Sequence, residues 1–253
     1  MIPLKDYNPT RRFPAVTVLL IVINVGVYFL VQQPNESRSG EAEFSYSHAA
    51  IPCEVVEGKP LSADEINRTL RQHDTEACIH GDTTPAVFPH KHVYLALLYS
   101  MFLHGSLLHI GGNMLFLWIF GNNIEDRMGP PSYLAFYLAA GLVASGAHIL
   151  VQPNSTIPVI GASGAIAGVM GAYLVLFPNV RIRTLFLFLL VLIRDVKAKW
   201  LLGFWFVLQF FTNPSAGVAW VAHVGGFAFG ALWAALFLRD RLEPTPVDPT
   251  PTY

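Results

Sequence analysis

Charge is the resource this chain has least of. Only 13% of its 253 residues are charged, roughly half the share of a soluble domain. Such a surface is too poor in charge to wrap an ordinary water-soluble fold. The few charges nearly cancel, giving a net charge of −1, and no basic stripe interleaved with aromatics suggests nucleic acid as a partner. No small-residue A-x-A-like site follows the first apolar run, where the sequence reads Val31-Gln32-Gln33-Pro34-Asn35. That run is also longer than a usual signal core, so it is expected to be a retained span and not a cleaved leader. No internal repeat is present.

What the chain has is apolar residues in blocks, 53% of the total, with a mean hydropathy of +0.45. Phe13–Val31 and Tyr133–Val151 each run uncharged for 19 residues, and runs of ~18 or more can cross the ~30 Å hydrocarbon layer. Further apolar stretches lie at 93–120, from Pro158 to Pro178, at 200–211 with its flanks, and at 218–238. This predicts an all-α polytopic membrane protein, a six-helix bundle. Thr184–Ile193 (TLFLFLLVLI) is too short to span and is followed at once by Arg194, Asp195, Lys197 and Lys199. An interfacial or partly buried segment is expected there.

The charges set an orientation. With the amino terminus cytoplasmic, inside segments hold 11 of the 16 Lys and Arg residues, and the other five fall in the 33–92 loop among ten acids. The connections at 152–157 and 212–217 carry no Lys or Arg. That is the positive-inside pattern for six spans with both termini cytoplasmic. The expected organisation is a cytoplasmic segment 1–12, a first span 13–32, an external loop or small cap 33–92, a core of five spans 93–238 and a proline-rich cytoplasmic tail 239–253. Within the loop, Ser62 with Glu65 three residues on marks a helix start over Ser62–His73. The only cysteines, Cys53 and Cys78, both lie in this loop. An external compartment allows them to pair, closing about 25 residues at roughly 3 kcal/mol in the chain-entropy model. Two unpaired thiols, or pairing between chains, are the alternatives.

Polar groups inside spans are costly and are by default functional. Here they are His104, His109, Asn113, Ser163 and His223, with His148 near an outer helix end read as interfacial or structural. Ser163 and His223 each lie about five residues into a span that runs inward, roughly 8 Å below the outer interface. Ser163 stands in Gly161-Ala162-Ser163-Gly164 at a helix start, where free N–H groups favour developing negative charge. Small residues at Gly164-xxx-Gly168, Ala167-xxx-Gly171 and Gly226-xxx-Gly230 let helices approach closely. His223, Gly226 and Gly230 share a face, so packing through it delivers His223 as a base to Ser163. His109 and Asn113, four apart on one helical face, are donors suited to an oxyanion. His104 is expected to orient the entry loop.

These motifs in order resemble the rhomboid family of intramembrane proteases. The matching residues are Tyr99–Asn113 with His104-xxxx-His109-xxx-Asn113, then Gly161-Ala162-Ser163-Gly164, then Ala222-His223-xx-Gly226-xxx-Gly230. Gly121-xxx-Glu125-x-Arg127-x-Gly129 is similar too. The resemblance covers about residues 93–238 and the first span. It implies a rhomboid-like bundle that cleaves transmembrane segments of membrane proteins near the outer face, using a Ser163–His223 dyad without an acid. His109, Asn113 and backbone N–H groups would hold the oxyanion, supported by Gly161, Gly164 and His104. It implies no metal and no cofactor, transmembrane proteins and membrane lipid as partners, and a bacterial inner membrane as location. Many relatives carry a tyrosine four residues after the serine, stacked on the histidine; this chain has Ala167. Other readings are an inactive family member that binds transmembrane segments, and a haem- or ion-handling protein using His109, His148 and His223.

Overall fold

The computed structural model describes residues 1–187, 191–212 and 219–238. The expected tail 239–253 and most of the 212–217 connection lie outside these residues. In chain order the elements are β1 (Ile2–Asp6), α1 (Ala15–Gly26), α2 (Gln33–Ser39), α3 (Glu41–His48), α4 (Pro52–Glu57), α5 (Ala63–Gln72) and α6 (Ala96–Ser100). They continue with α7 (Leu107–Phe116), α8 (Asn122–Met128), α9 (Pro130–Val151), α10 (Ser163–Leu176), β2 (Arg181–Leu187), β3 (Val191–Lys197), α11 (Ala198–Gln209) and α12 (Trp220–Phe237). Two π-helical stretches, Val27–Gln32 and Leu117–Gly121, join α1 to α2 and α7 to α8.

Three helices among the described residues are long and apolar enough to cross a membrane: Ala15–Ser37, Pro130–Val151 and Trp220–Phe237. Their outward faces are apolar, with Leu30, Leu150 and Leu236 largely exposed. Water would not tolerate such a belt; hydrocarbon does. The shorter apolar helix α10 occupies the middle. Every residue from Gly164 to Tyr173 is buried, which is why this helix reads apolar all round. Its 14 residues span only about 21 Å, so Ser163 at its start is recessed within the bundle. It packs on α9 and α12 through small residues. A Cβ on Gly164 would stand 2.6 Å from the Ala144 Cβ, and one on Gly168 2.6 Å from the Ala140 Cβ.

The all-α expectation needs correcting. β1, β2 and β3 form an antiparallel sheet in that order, and the segment expected at the interface is a hairpin within it. Arg181 pairs with Lys197 and Leu185 with Ile193, while Ile2 of the amino-terminal segment pairs with Leu185. The apolar run is rich in residues that suit a pleated surface and too short for a span. Arg194, Asp195 and Lys197 stay in β3 while Lys199 lies in the first turn of α11, and β1 covers an edge that would otherwise be open.

The sheet lies at one end of the bundle with the start of α1 and with α8. Glu125 accepts from the Val16 and Thr17 backbone N–H groups (2.9 and 2.8 Å) and from the Thr17 hydroxyl (2.8 Å). It thereby satisfies donors that the start of a helix leaves open. Asp126 accepts from the Arg11 and Arg12 N–H groups. Asp6 accepts from Asn123 Nδ2 (2.6 Å) and the Tyr173 hydroxyl (3.0 Å), and burial pushes its carboxyl up to about 6.

At the opposite end, residues 41–92 make a small cap. Tyr46, Ile51, Cys53 and Leu61 form its own apolar core, with Ile66, Cys78 and Phe88 against them. Cys53 and Cys78 are joined in a disulfide. The Ser62–Glu65 capping box starts α5, and His73 ends it at φ +58. Lys91 Nζ pairs with Glu54 at 2.5 Å. Burial raises the Glu54 carboxyl and lowers the Lys91 amine, each opposed by its partner's charge.

Candidate active site

Ser163 is the first residue of α10 and His223 lies in the first turn of α12. Both helices start at the cap end, so two side chains 60 residues apart in sequence face each other. His223 Nε2 stands 2.8 Å from Ser163 Oγ. The close approach of the helices makes this possible. A Cβ on Gly226 would fall on the Gly164 carbonyl oxygen, and one on Gly230 on that of Gly168. The glycine stripe on the His223 face thus acts as the sequence predicted.

His109 lies in the first turn of α7. The Gly105 backbone N–H donates to its Nδ1 at 3.3 Å, so in the neutral ring the proton sits on Nε2. That nitrogen is 2.9 Å from where a Gly161 Cβ would be, and Ser163 Oγ is 3.5 Å from the same point. A ring N–H donor and the serine oxygen therefore border one small space. Gly161 keeps it open, and its φ of +126 favours glycine independently. Asn113 is buried, and its Nδ2 has no hydrogen-bond partner among the described residues. An unspent buried amide donor is unusual and is what an oxyanion site needs.

His104 precedes α7 in the entry loop, its ring packed edge-on against His109 with centroids 5.1 Å apart. Its backbone is held at both atoms by Gln32: His104 N–H donates to Oε1 (2.9 Å), and Gln32 Nε2 donates to the His104 carbonyl (2.6 Å). Gln32 ends the π-helical stretch of the first span, and sequence reasoning missed it; a buried glutamine in an apolar run was the available signal. His148 is buried in the last turn of α9.

The cap reaches into the site through backbone hydrogen bonds. Val159 N–H donates to the Ala50 carbonyl (2.8 Å), Cys53 N–H to Ser155 (3.0 Å) and Thr156 N–H to Thr75 (3.0 Å). Ser100 ties both sides together, its hydroxyl accepting from Ala50 N–H (2.6 Å) and its carbonyl from Gly161 N–H (2.9 Å). The loop that leads to Ser163 is thus fixed from above. A small cleft lined by Ser100, Ser145, Val159, Gly161 and Ser163 adjoins the serine.

Two residues of α11 also reach His223. Gln209 Oε1 lies 2.8 Å from its Nδ1, and the Trp205 ring packs beside it with centroids 5.8 Å apart. Ala167, fully buried, offers no ring there. Neither α11 contact was legible in the sequence.

A model of the rhomboid domain matches residues 91–240. The chain belongs to the rhomboid family. Relatives include yeast (Saccharomyces cerevisiae) "Rhomboid protein 1, mitochondrial", 28% identical over 146 residues, 56% of this chain and 35% of that protein. Human "Presenilin-associated rhomboid-like protein, mitochondrial" is 31% identical over 157 residues, 58% of this chain and 38% of that one. "Rhomboid protease GluP" of Bacillus subtilis is 34% identical over 142 residues, 55% of this chain and 25% of that one. The rhomboid chain described here thus matches well under half the length of each. Two of these names are mitochondrial, which does not fit the expected bacterial inner membrane.

Proposed function

We propose that this rhomboid family member is a serine endopeptidase that cleaves transmembrane segments of membrane proteins near the outer face of the membrane. The observation that carries this reading is the 2.8 Å approach of His223 Nε2 to Ser163 Oγ at the recessed start of α10. Ser163 Oγ attacks the scissile carbonyl carbon while His223 Nε2 takes its proton. The oxyanion that forms is held by Asn113 Nδ2, His109 Nε2 and N–H groups at the start of α10. Collapse breaks the C–N bond, the proton on His223 passes to the leaving amine, and an ester on Ser163 remains. Water then attacks that ester with His223 as base, releasing the acid and restoring the serine. The residues in hand suffice for each step, and none of them calls for a metal or cofactor.

Six spans with both termini cytoplasmic go with this reading. The charge pattern supports them, as does the grouping of β1, α8 and the hairpin at the end of the bundle opposite the cap. The expected bacterial inner membrane fits the Bacillus relative and not the two mitochondrial ones, so the membrane is defined here by its sides alone. The deciding experiment incubates the purified protein in liposomes with a single-span substrate, beside Ser163→Ala. Cleavage by the wild type alone is expected, together with fluorophosphonate labelling at Ser163. A wild type that binds the span without cleaving it, and takes no label, would mark an inactive member that only binds such segments.

A further inference from the structure

We propose that Gln209 is a positioning residue that fixes the tautomer and orientation of His223. Gln209 sits at the end of α11 and is 7% exposed. Its Nε2 donates to the Trp205 carbonyl at 2.9 Å, and its Oε1 lies 2.8 Å from His223 Nδ1. The first bond decides the second. Turning the amide over would set its oxygen against the Trp205 carbonyl, two acceptors facing each other with no proton between them. The oxygen therefore faces the histidine and can only accept, so Nδ1 carries the ring proton. In a neutral imidazole the other nitrogen then has its lone pair free. That nitrogen, Nε2, is the one 2.8 Å from Ser163 Oγ. With the tautomer reversed, Nε2 would present a proton to the serine and could not accept one.

The assignment has a second consequence. The dyad stands on α10 and α12, while the residue that readies it stands on α11. Trp205, one turn before Gln209 on α11, supplies the ring beside His223 at 5.8 Å. The base is thus fixed on two sides by α11, and only when that helix is seated against α12.

This inference rests on the dyad proposed above, and the test separates the two. Protein labelled with ¹⁵N-histidine is examined in bilayers by solid-state NMR, the His223 signals being identified by their loss in His223→Ala. The wild type should show a protonated Nδ1 and an unprotonated Nε2. Gln209→Leu, similar in size and without an acceptor, should give a mixture of tautomers. It should also lower kcat by about two- to tenfold, the scale set by losing one neutral hydrogen bond, with KM unchanged. Gln209→Glu, whose protonated carboxyl can donate to the Trp205 carbonyl while its other oxygen accepts from Nδ1, should keep both the tautomer and most of kcat. A wild-type His223 protonated at Nε2 overturns the proposal, even if Gln209→Leu fails to fold. So does a Gln209→Leu protein that keeps the tautomer and cleaves at the wild-type rate. An Nδ1-protonated His223 lost in Gln209→Leu, in a protein that never cleaves, upholds the positioning role and removes the proteolytic reading instead.

Discussion

Gly226 on α12 lies so close to Gly164 on α10 that a Cβ on the first would fall on the carbonyl oxygen of the second. The two helices meet with no side chain between them, one turn from the site. His223 precedes Gly226 by three residues and Ser163 precedes Gly164 by one, so the contact sets the separation of His223 Nε2 and Ser163 Oγ. Small residues let backbones approach in lipid; here that approach brings an imidazole to a hydroxyl.

Removing either end of the pair should abolish turnover. Ser163→Ala and His223→Ala are each expected to leave the bundle folded, because the α10–α12 contact is made by glycines and not by these two side chains. Groups that act as a unit give similar, non-additive losses, so the double variant should be no worse than either single one. Size-exclusion profiles and cleavage of a single-span substrate check this. A Ser163→Ala protein with near wild-type turnover would sink the assignment of the nucleophile.

Asn113 provides a separate test of the oxyanion site. Its buried Nδ2 has no partner among the described residues, so Asn113→Ala leaves no acceptor stranded there. Loss of one oxyanion donor costs about 2.7–4 kcal/mol, on the order of 100- to 1000-fold in rate. The expected result is a kcat lowered on that scale with little change in KM. A change in KM alone would reduce Asn113 to a packing role.

Gly161→Ala combines two effects. The backbone there has φ +126, and a Cβ would stand 2.9 Å from His109 Nε2. Strain at such a position is on the order of 1–3 kcal/mol, and the methyl group would intrude on the space that His109 and Ser163 border. Activity should fall at least tenfold while thermal stability drops by only a few degrees. A fully active Gly161→Ala would mean that the reacting carbonyl does not lie on that side of the serine.

The Ser163–His223 contact, the glycine stripes and the helix start at Ser62 were readable because each obeys a local rule: a polar group in an apolar run, a four-residue spacing, a capping box. Failures came where a partner distant in sequence decides the outcome. Thr184–Ile193 is too short to span, and nothing within it announces that Ile2–Asp6 pairs with Ile182–Leu185. Glu125 resembled a family motif, yet its role in capping α1 needs the backbone of Val16 and Thr17, more than 100 residues away. Gln209 and Gln32 were overlooked since a lone glutamine in an apolar run has no periodicity, and only the fold reveals which backbone or ring it faces.

The disulfide predicts a redox effect on the rate. Cys53 and Cys78 are joined, and the backbone of Cys53 holds Ser155 while Thr75, three residues from Cys78, holds Thr156. Both anchor the loop that leads to Ser163. Closing about 25 residues is worth roughly 3 kcal/mol in the chain-entropy model, a large share of the stability of so small a cap. Replacing both cysteines by serine should therefore loosen residues 152–161, seen as faster hydrogen exchange. The rate should fall severalfold while fluorophosphonate still labels Ser163. Unchanged exchange in the loop would show that the membrane core alone fixes it.

The last prediction concerns pH and the opposite end of the molecule. Burial holds the Asp6 carboxyl up at about 6, against an ordinary value of 3.8, outweighing the hydrogen bonds from Tyr173 and Asn123 that pull it down. An acid whose pKa is higher in the folded protein binds more protons there than in the unfolded chain. Its contribution to stability is therefore fully present below 3.8 and is lost as pH rises toward about 6 and beyond. At about 1.4 kcal/mol per pH unit the loss is on the order of 2–3 kcal/mol. Asp6→Asn removes this titration and keeps an oxygen that accepts from Tyr173 and Asn123. The variant should match the wild type near pH 4 and melt higher than it at pH 7.5, followed by tryptophan fluorescence in detergent. A wild type that remains the more stable protein at pH 7.5 would mean that the ionised carboxylate is better satisfied by those two donors than its burial implies.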